Sequence, residues 1–145
     1  MAANIPDQFS ENKTARCTNT TLQPGLLFVD DNALVRETVR TLLQHEYQEI
    51  LTADDAFTGL CLLAKHRPVN VLIDAEMQGL SGNHFCALAK SLVSFRSIRI
   101  IILLQQESDH ARAKALAAGA DAILVKPFGR EELLNLLGKT GAKAA

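Results

Sequence analysis

The chain has 145 residues, 48% of them hydrophobic, with 15 Lys or Arg against 16 Asp or Glu and a formal net charge of −1. That length and apolar content suit one domain with a real core, and the near-neutral, scattered charge gives no electrostatic reason to expect nucleic acid or an anionic membrane as the direct partner. Three well-separated cysteines, Cys17, Cys61 and Cys86, with no CxxC pair, support neither a disulfide framework nor a zinc knuckle. With no signal-peptide pattern and no bilayer-length apolar run, a soluble protein of the reducing cytoplasm is expected.

Residues 1–24 are rich in Asn, Thr, Gln and Ser and poor in large apolar side chains, which predicts a flexible tail. Pro24 and Gly25 mark the entry to a domain over 25–138. From there, short apolar runs alternate with stretches of helical periodicity, the pattern of repeated βα units around a parallel sheet. Strands are predicted over 26–29, 49–52, 69–73, 98–103 and 122–125. VLI within the third and the run IRIIILL of the fourth, Arg99 apart, are apolar, as strands covered on both faces should be.

Between the strands the helix signals are local and readable. Asn32 can cap a helix over 33–44, with Leu34, Val35, Val39, Leu42 and Leu43 as its apolar stripe and Arg36, Glu37 and Arg40 facing water. Asp55 can cap a helix that ends before Pro68, and Ser81 or Asn83 can start the next one over 84–93. Ser108 or Asp109 can cap a helix stopped by a left-handed Gly119. A last helix over 130–138 is expected to stop at Gly138, with 139–145 frayed.

The chemistry lies at the strand ends. Asp30 and Asp31 follow the first strand, Asp74 the third, and Lys126, with Pro127 after it, the fifth. In an open parallel sheet the carboxyl ends of the strands share one edge, so residues distant in sequence converge there. Three neighbouring carboxylates repel one another unless a cation joins them, and such hard oxygen ligands suit Mg²⁺ or Mn²⁺ better than zinc. Lys126 adds a compact positive charge that can reach a phosphoryl oxygen. Taken singly, Asp30 and Asp31 could be an ordinary strand end with a helix cap, Asp74 a turn residue and Lys126 a solvated charge. Together they outline a carboxylate that accepts phosphate. The histidines His45, His66, His84 and His110 have no ligand spacing, and the cysteines read as tail or core thiols.

The ordered set of Asp30-Asp31, Asp74, the GLSG turn at 79–82 and Lys126-Pro127-Phe128 resembles the receiver domain of two-component response regulators, over residues 26–137. The resemblance implies a flavodoxin-like, doubly wound (βα)5 fold with strand order 2-1-3-4-5. It implies that Asp74 is the phosphoacceptor, forming an acyl phosphate from a phosphohistidine donor. Asp30, Asp31, Asp74 and the backbone carbonyl of Glu76 would hold Mg²⁺ (or Mn²⁺), and Lys126, expected before a cis proline bond, would pair with the phosphoryl group. The implied partners are a histidine kinase or histidine phosphotransfer protein and a downstream protein target, with neither nucleic acid nor membrane insertion. A dimer through the helix 4, strand 5, helix 5 face is a further implication. Enzymatic action would be limited to Mg-dependent self-phosphorylation and autodephosphorylation. The stretch HFCALAKSLVSFRS resembles single-domain receivers of pilus-based motility systems.

Two positions depart from the family's pattern. Where a Ser or Thr usually ends the fourth strand this chain has Leu104, and where a Tyr or Phe usually sits in the fifth strand it has Ile123. Loss of a hydrogen bond to a charged group weakens it by about 1.5–3 kcal/mol, so coupling to the output surface should be diminished. Gln105 or Gln106 is a candidate substitute donor, and Gln78 stands where proline is common. These departures leave an alternative open, a pseudo-receiver acting as a phosphorylation-independent interaction module. Two enzymes on the same sheet fit less well. A flavodoxin's phosphate loop is rich in hydroxyls whereas Asp30-Asp31-Asn32 would repel phosphate, and a haloacid-dehalogenase-type phosphatase would need DxD.

Overall fold

The computed structural model describes residues 25–139; the expected tail over 1–24 and the end from 140 lie outside them. Five parallel strands form one sheet in the order β2-β1-β3-β4-β5. They are β1 (Leu26–Val29), β2 (Ile50–Ala53), β3 (Asn70–Asp74), β4 (Arg99–Leu104) and β5 (Ala122–Val125). The connecting helices are α1 (Ala33–Leu43), α2 (Ala56–His66), α3 (Gly82–Ser91), α4 (Asp109–Ala117) and α5 (Arg130–Leu134). This is the flavodoxin-like topology that the receiver-domain resemblance implies.

Alternation along each strand sends side chains to two cores. Leu26, Phe28, Leu72, Ile101 and Leu103 pack with Val39 and Leu43 of α1 and Leu133 beyond β5. Leu27, Val29, Ile73, Ile100 and Ile102 face the other way, against Leu63 of α2 and Phe85, Cys86 and Ala89 of α3. β1 and β3 are buried along their whole length because they are covered on both faces. Truncating such a residue, Phe28 for example, would cost about 3–5 kcal/mol.

The strand edges differ in detail from the apolar runs. β2, β3 and β4 each begin and end one residue later than hydrophobicity alone indicates, because pairing sets the ladder. Leu26 lies opposite Ile50 and Asn70, and Asn70 opposite Arg99. At the other end Asp74 stays in register with Leu103, and Leu104 with Val125. Asp74 is therefore the last residue of β3 and not the first after it.

The predicted caps form as hydrogen bonds. Asn32 accepts from the amides of Leu34 and Val35, Asp55 from Thr58, Ser81 from His84 and Ser108 from Ala111. Of the paired alternatives, Ser81 and Ser108 are the caps, so α3 starts at Gly82 and α4 at Asp109. Gly119 has a φ of 100°, the expected left-handed stop. Gly138 does not stop the last helix, which passes after Leu134 into a wider π turn over Asn135–Lys139. In α1, Leu34 does not join the apolar stripe. It is 74% exposed, in a first turn that rises above the rim of the sheet. Arg36, placed toward water by the same periodicity, is half-buried and turned back toward the end of β1. Cys61 is exposed on α2 and so is neither tail nor core, while burial pushes the Cys86 thiol up to about 11. No helix among the described residues is long and apolar enough to cross a membrane.

At the opposite edge of the sheet from the strand ends, the Asn70 amide donates to the buried Tyr47 hydroxyl oxygen at 3.0 Å. Burial pushes Tyr47 up to about 12, against a smaller lowering by that hydrogen bond. Since the folded value lies above the unfolded one near 10, the folded chain holds this proton longer. The contribution to stability is complete below pH 10 and is lost as pH rises toward 12. Tyr47 is the chain's only tyrosine, so tyrosinate absorbance reads it directly. The native titration midpoint should lie above that of the urea-unfolded chain or coincide with alkaline unfolding; equal midpoints would contradict the burial.

Candidate functional site

The end of β1 builds one side of the site. Asp30 is fully buried, and three of its groups are engaged. Its amide donates to the Ala53 carbonyl, which holds the strand end against β2. Its Oδ1 accepts from the Asn32 amide at 2.9 Å, and its carbonyl accepts from Arg36 Nη1 at 2.6 Å. Asp31 is exposed at the rim. The chain can turn sharply into α1 here because Asn32 caps that helix within the same loop.

β3 and β5 supply the other side. Asp74, 1% exposed, accepts from the Glu76 amide through Oδ1 at 3.2 Å. The Lys126 amide donates to the Leu104 carbonyl at 2.8 Å, which extends the β4–β5 ladder by one step and carries the lysine to the strand ends. The Lys126–Pro127 peptide is cis. Lys126 Nζ lies 2.9 Å from Asp30 Oδ2 and 3.2 Å from Asp74 Oδ2. One ammonium thus joins two carboxylates that are 96 and 52 residues away in the chain.

Charge and burial compete in this cluster. Burial raises Asp74 above the ordinary aspartate value, against the lowering pull of Lys126 and the Glu76 amide, and the Asp30 charge adds to the rise. Burial also works against the Lys126 charge, but the hydrogen bond to Asp30 and the charges of Asp74 and Asp30 outweigh it and hold the lysine above its usual value. Oxygens of Asp30, Asp31 and Asp74 all lie within 4.8 Å of one another. Fully ionised, three carboxylates and one ammonium leave a formal charge of −2 at one spot. A set of hard oxygens with that charge fits a divalent ion of the magnesium type.

The residues singled out in the sequence therefore divide. Asp30, Asp31, Asp74 and Lys126 are brought together, and Glu76 touches the cluster through its amide. Leu104 is buried at the end of β4, and Ile123 packs partly buried against the same side of the sheet. Gln105 and Gln106 are exposed and line a groove of about 620 Å³ together with Glu76 and Met77. Neither glutamine makes a side-chain hydrogen bond to Asp74 among the described residues.

Two residues of the site were not read as such from sequence. Helical periodicity places Arg36 toward water. Gly82 belongs to a recognised turn, but the reason for glycine is visible only in three dimensions. A Cβ there would lie 2.0 Å from the Asp74 carbonyl oxygen, and the Gly82 amide donates to the Ala75 carbonyl at 3.0 Å. The start of α3 is pressed directly onto the end of β3. Gly79, with a φ of 81°, turns the chain toward that contact.

Residues 26–138 match the response regulator receiver domain family. The chain belongs to that family. The receiver domain is 34% identical over 112 residues to Protein PilG of Pseudomonas aeruginosa, covering 77% of this chain and 83% of that one. It is 37% identical over 109 residues to the response regulator MprA of a Mycobacterium species (strain KMS), covering 75% of this chain and 46% of that one. The chain thus spans about half the length of MprA. Among solved structures, the chemotaxis protein CheY4 of Vibrio cholerae superposes with a TM-score of 0.75 at 29% identity, over 81% of this chain and 98% of that one. Receiver domains bind Mg²⁺ at an acidic pocket and interact with histidine kinases or phosphotransfer proteins, and this chain is a response regulator domain of two-component phosphorelay signalling. The alternative of a phosphorylation-independent module finds no support in these relatives.

Lys126→Met should leave two buried carboxylates facing each other without their cation. Urea denaturation in a chelator should then show a loss of up to about 3 kcal/mol, lessened by proton uptake at Asp74 and partly restored by Mg²⁺. Gly82→Ala should lower stability by about 3 kcal/mol, the upper end for overpacking, measured by thermal or urea unfolding. An unchanged midpoint would show that the α3–β3 contact is looser than described.

Proposed function

We propose that this receiver domain accepts a phosphoryl group on Asp74 from a histidine kinase or histidine phosphotransfer protein and signals by protein contact from the cytoplasm. The observation that carries the reading is the single Lys126 ammonium bound to both Asp30 and Asp74, with Asp31 within ligand distance of the pair. Asp30, Asp31, Asp74 and the main-chain carbonyl of Glu76 would hold Mg²⁺. The ion, when bound, would neutralise charge on the transferring group.

The protein's own groups account for the rest. Asp74 offers one carboxylate oxygen to phosphorus while the bond to the donor imidazole nitrogen breaks and its electron pair returns to the ring. Its other oxygen is held by the Glu76 amide, which fixes the carboxylate plane for in-line approach. Lys126 follows the charge from the carboxylate to the new phosphoryl oxygens, as a flexible point-charge donor can. Leu104 offers no hydroxyl to those oxygens, and Ile123 no aromatic ring to report them. The response at the face formed by α4, β5 and α5, and any dimer formed through it, would therefore be weakly coupled to phosphorylation.

Incubation with acetyl phosphate and Mg²⁺, followed by intact mass measurement, should show the gain of one phosphoryl group. Asp74→Asn or a chelator should abolish it. A wild-type chain that gains no mass with donor and metal both present would overturn the reading.

A further inference from the structure

The three carboxylates of the site are not held equally. Asp30 and Asp74 are each fixed by one backbone amide and by Lys126. Asp31 is exposed, and its side chain makes no hydrogen bond among the described residues. Its placement is left to the backbone. The peptide unit that joins Asp30 to Asp31 is held through its carbonyl oxygen, and the group that holds it is Arg36 Nη1 at 2.6 Å.

Arg36 is well placed for that task. It lies one turn into α1, where its amide donates to the Asn32 carbonyl, so the helix that Asn32 caps also carries the guanidinium back over the loop. The side chain is half-buried and forms no ion pair among the described residues. A charged donor of fixed planar geometry is thus spent on one carbonyl at the entrance of an acidic site.

We infer that Arg36 is a positioning residue for the metal site: by clamping the Asp30–Asp31 peptide it sets the direction of the Asp31 carboxylate, the one ligand with no side-chain support of its own. A hydrogen bond to a peptide carbonyl limits rotation of that plane, and rotation of the plane swings the Asp31 Cα and everything attached to it. Lysine at this position would keep a charged donor for the carbonyl but not the planar fork, so it restores the hold on the peptide only in part. The inference rests on the metal-binding reading of the site given above.

The test is Mg²⁺ affinity, measured by titration calorimetry on the wild-type chain, Arg36→Ala, Arg36→Lys and Asp31→Asn, with circular dichroism and urea unfolding in chelator as the control for folding. Loss of an outer partner of a metal ligand typically costs about 10–100-fold in affinity, and Arg36→Ala should weaken Mg²⁺ by about tenfold. Arg36→Lys should recover only part of that loss. In the Asp31→Asn background, Arg36→Ala should add little, because the ligand it orients is already gone. Wild-type affinity in folded Arg36→Ala would overturn the inference, as would a loss of stability without a loss of affinity, or full additivity with Asp31→Asn. Should Arg36→Ala fail to fold, the Arg36→Lys comparison carries the same decision. A wild-type chain that takes up no Mg²⁺ would instead overturn the metal-site reading itself, which keeps the two failures distinct.

Discussion

Buried carboxylates at a sheet edge are tolerated only if something answers their charge, and the organisation of this domain follows from that constraint. Asp30 and Asp74 are withdrawn from water almost completely, at the ends of the adjacent interior strands β1 and β3. An isolated ion in such a place would be costly by several kcal/mol. Lys126 meets the cost from the far side of the sheet by pairing with both. The arrangement depends on three strands ending at the same level, and that level is set by the β1–β3, β3–β4 and β4–β5 registers. A shift of one residue in any of these would turn a site residue to the wrong face.

Around that pair, the local structure fixes the direction of each buried carboxylate. Backbone amides of Asn32 and Glu76 each take one oxygen, and Gly82 lets α3 approach the Asp74 carbonyl closely enough to hold the end of β3. The apolar layers beneath are ordinary by comparison. They supply rigidity, which keeps the carboxylates and the ammonium above them in fixed positions.

The same geometry separates the charged rim from the apolar packing across the sheet. The charged cluster is complete, with three carboxylates and one ammonium brought together at the strand ends. The positions that would relay the outcome, Leu104 and Ile123, are aliphatic and sit in the packed layer next to α4. Chemistry at the rim and its transmission across the sheet are separate physical problems. Retention of the first does not require the second to be solved in the usual way.

Much of this was legible in the residues themselves, and the reason is distance along the chain. Alternating apolar runs, the caps at Asn32, Asp55, Ser81 and Ser108, and the left-handed Gly119 are written within four or five neighbouring residues, so the sequence determined five βα units without further help. It also determined that Asp30, Asp31, Asp74 and Lys126 would meet, because parallel strands leave their carboxyl ends along one edge. Tertiary structure alone decided the rest. Strand ends moved by a residue because ladders are set by partners tens of residues away. Arg36 left its expected solvent face because a charged donor met an unsatisfied carbonyl across the loop, and Gly82 became indispensable because a backbone oxygen from another strand fills the space a side chain would take. Periodicity describes one helix or one strand against an average surrounding, whereas these outcomes depend on which particular atom lies opposite.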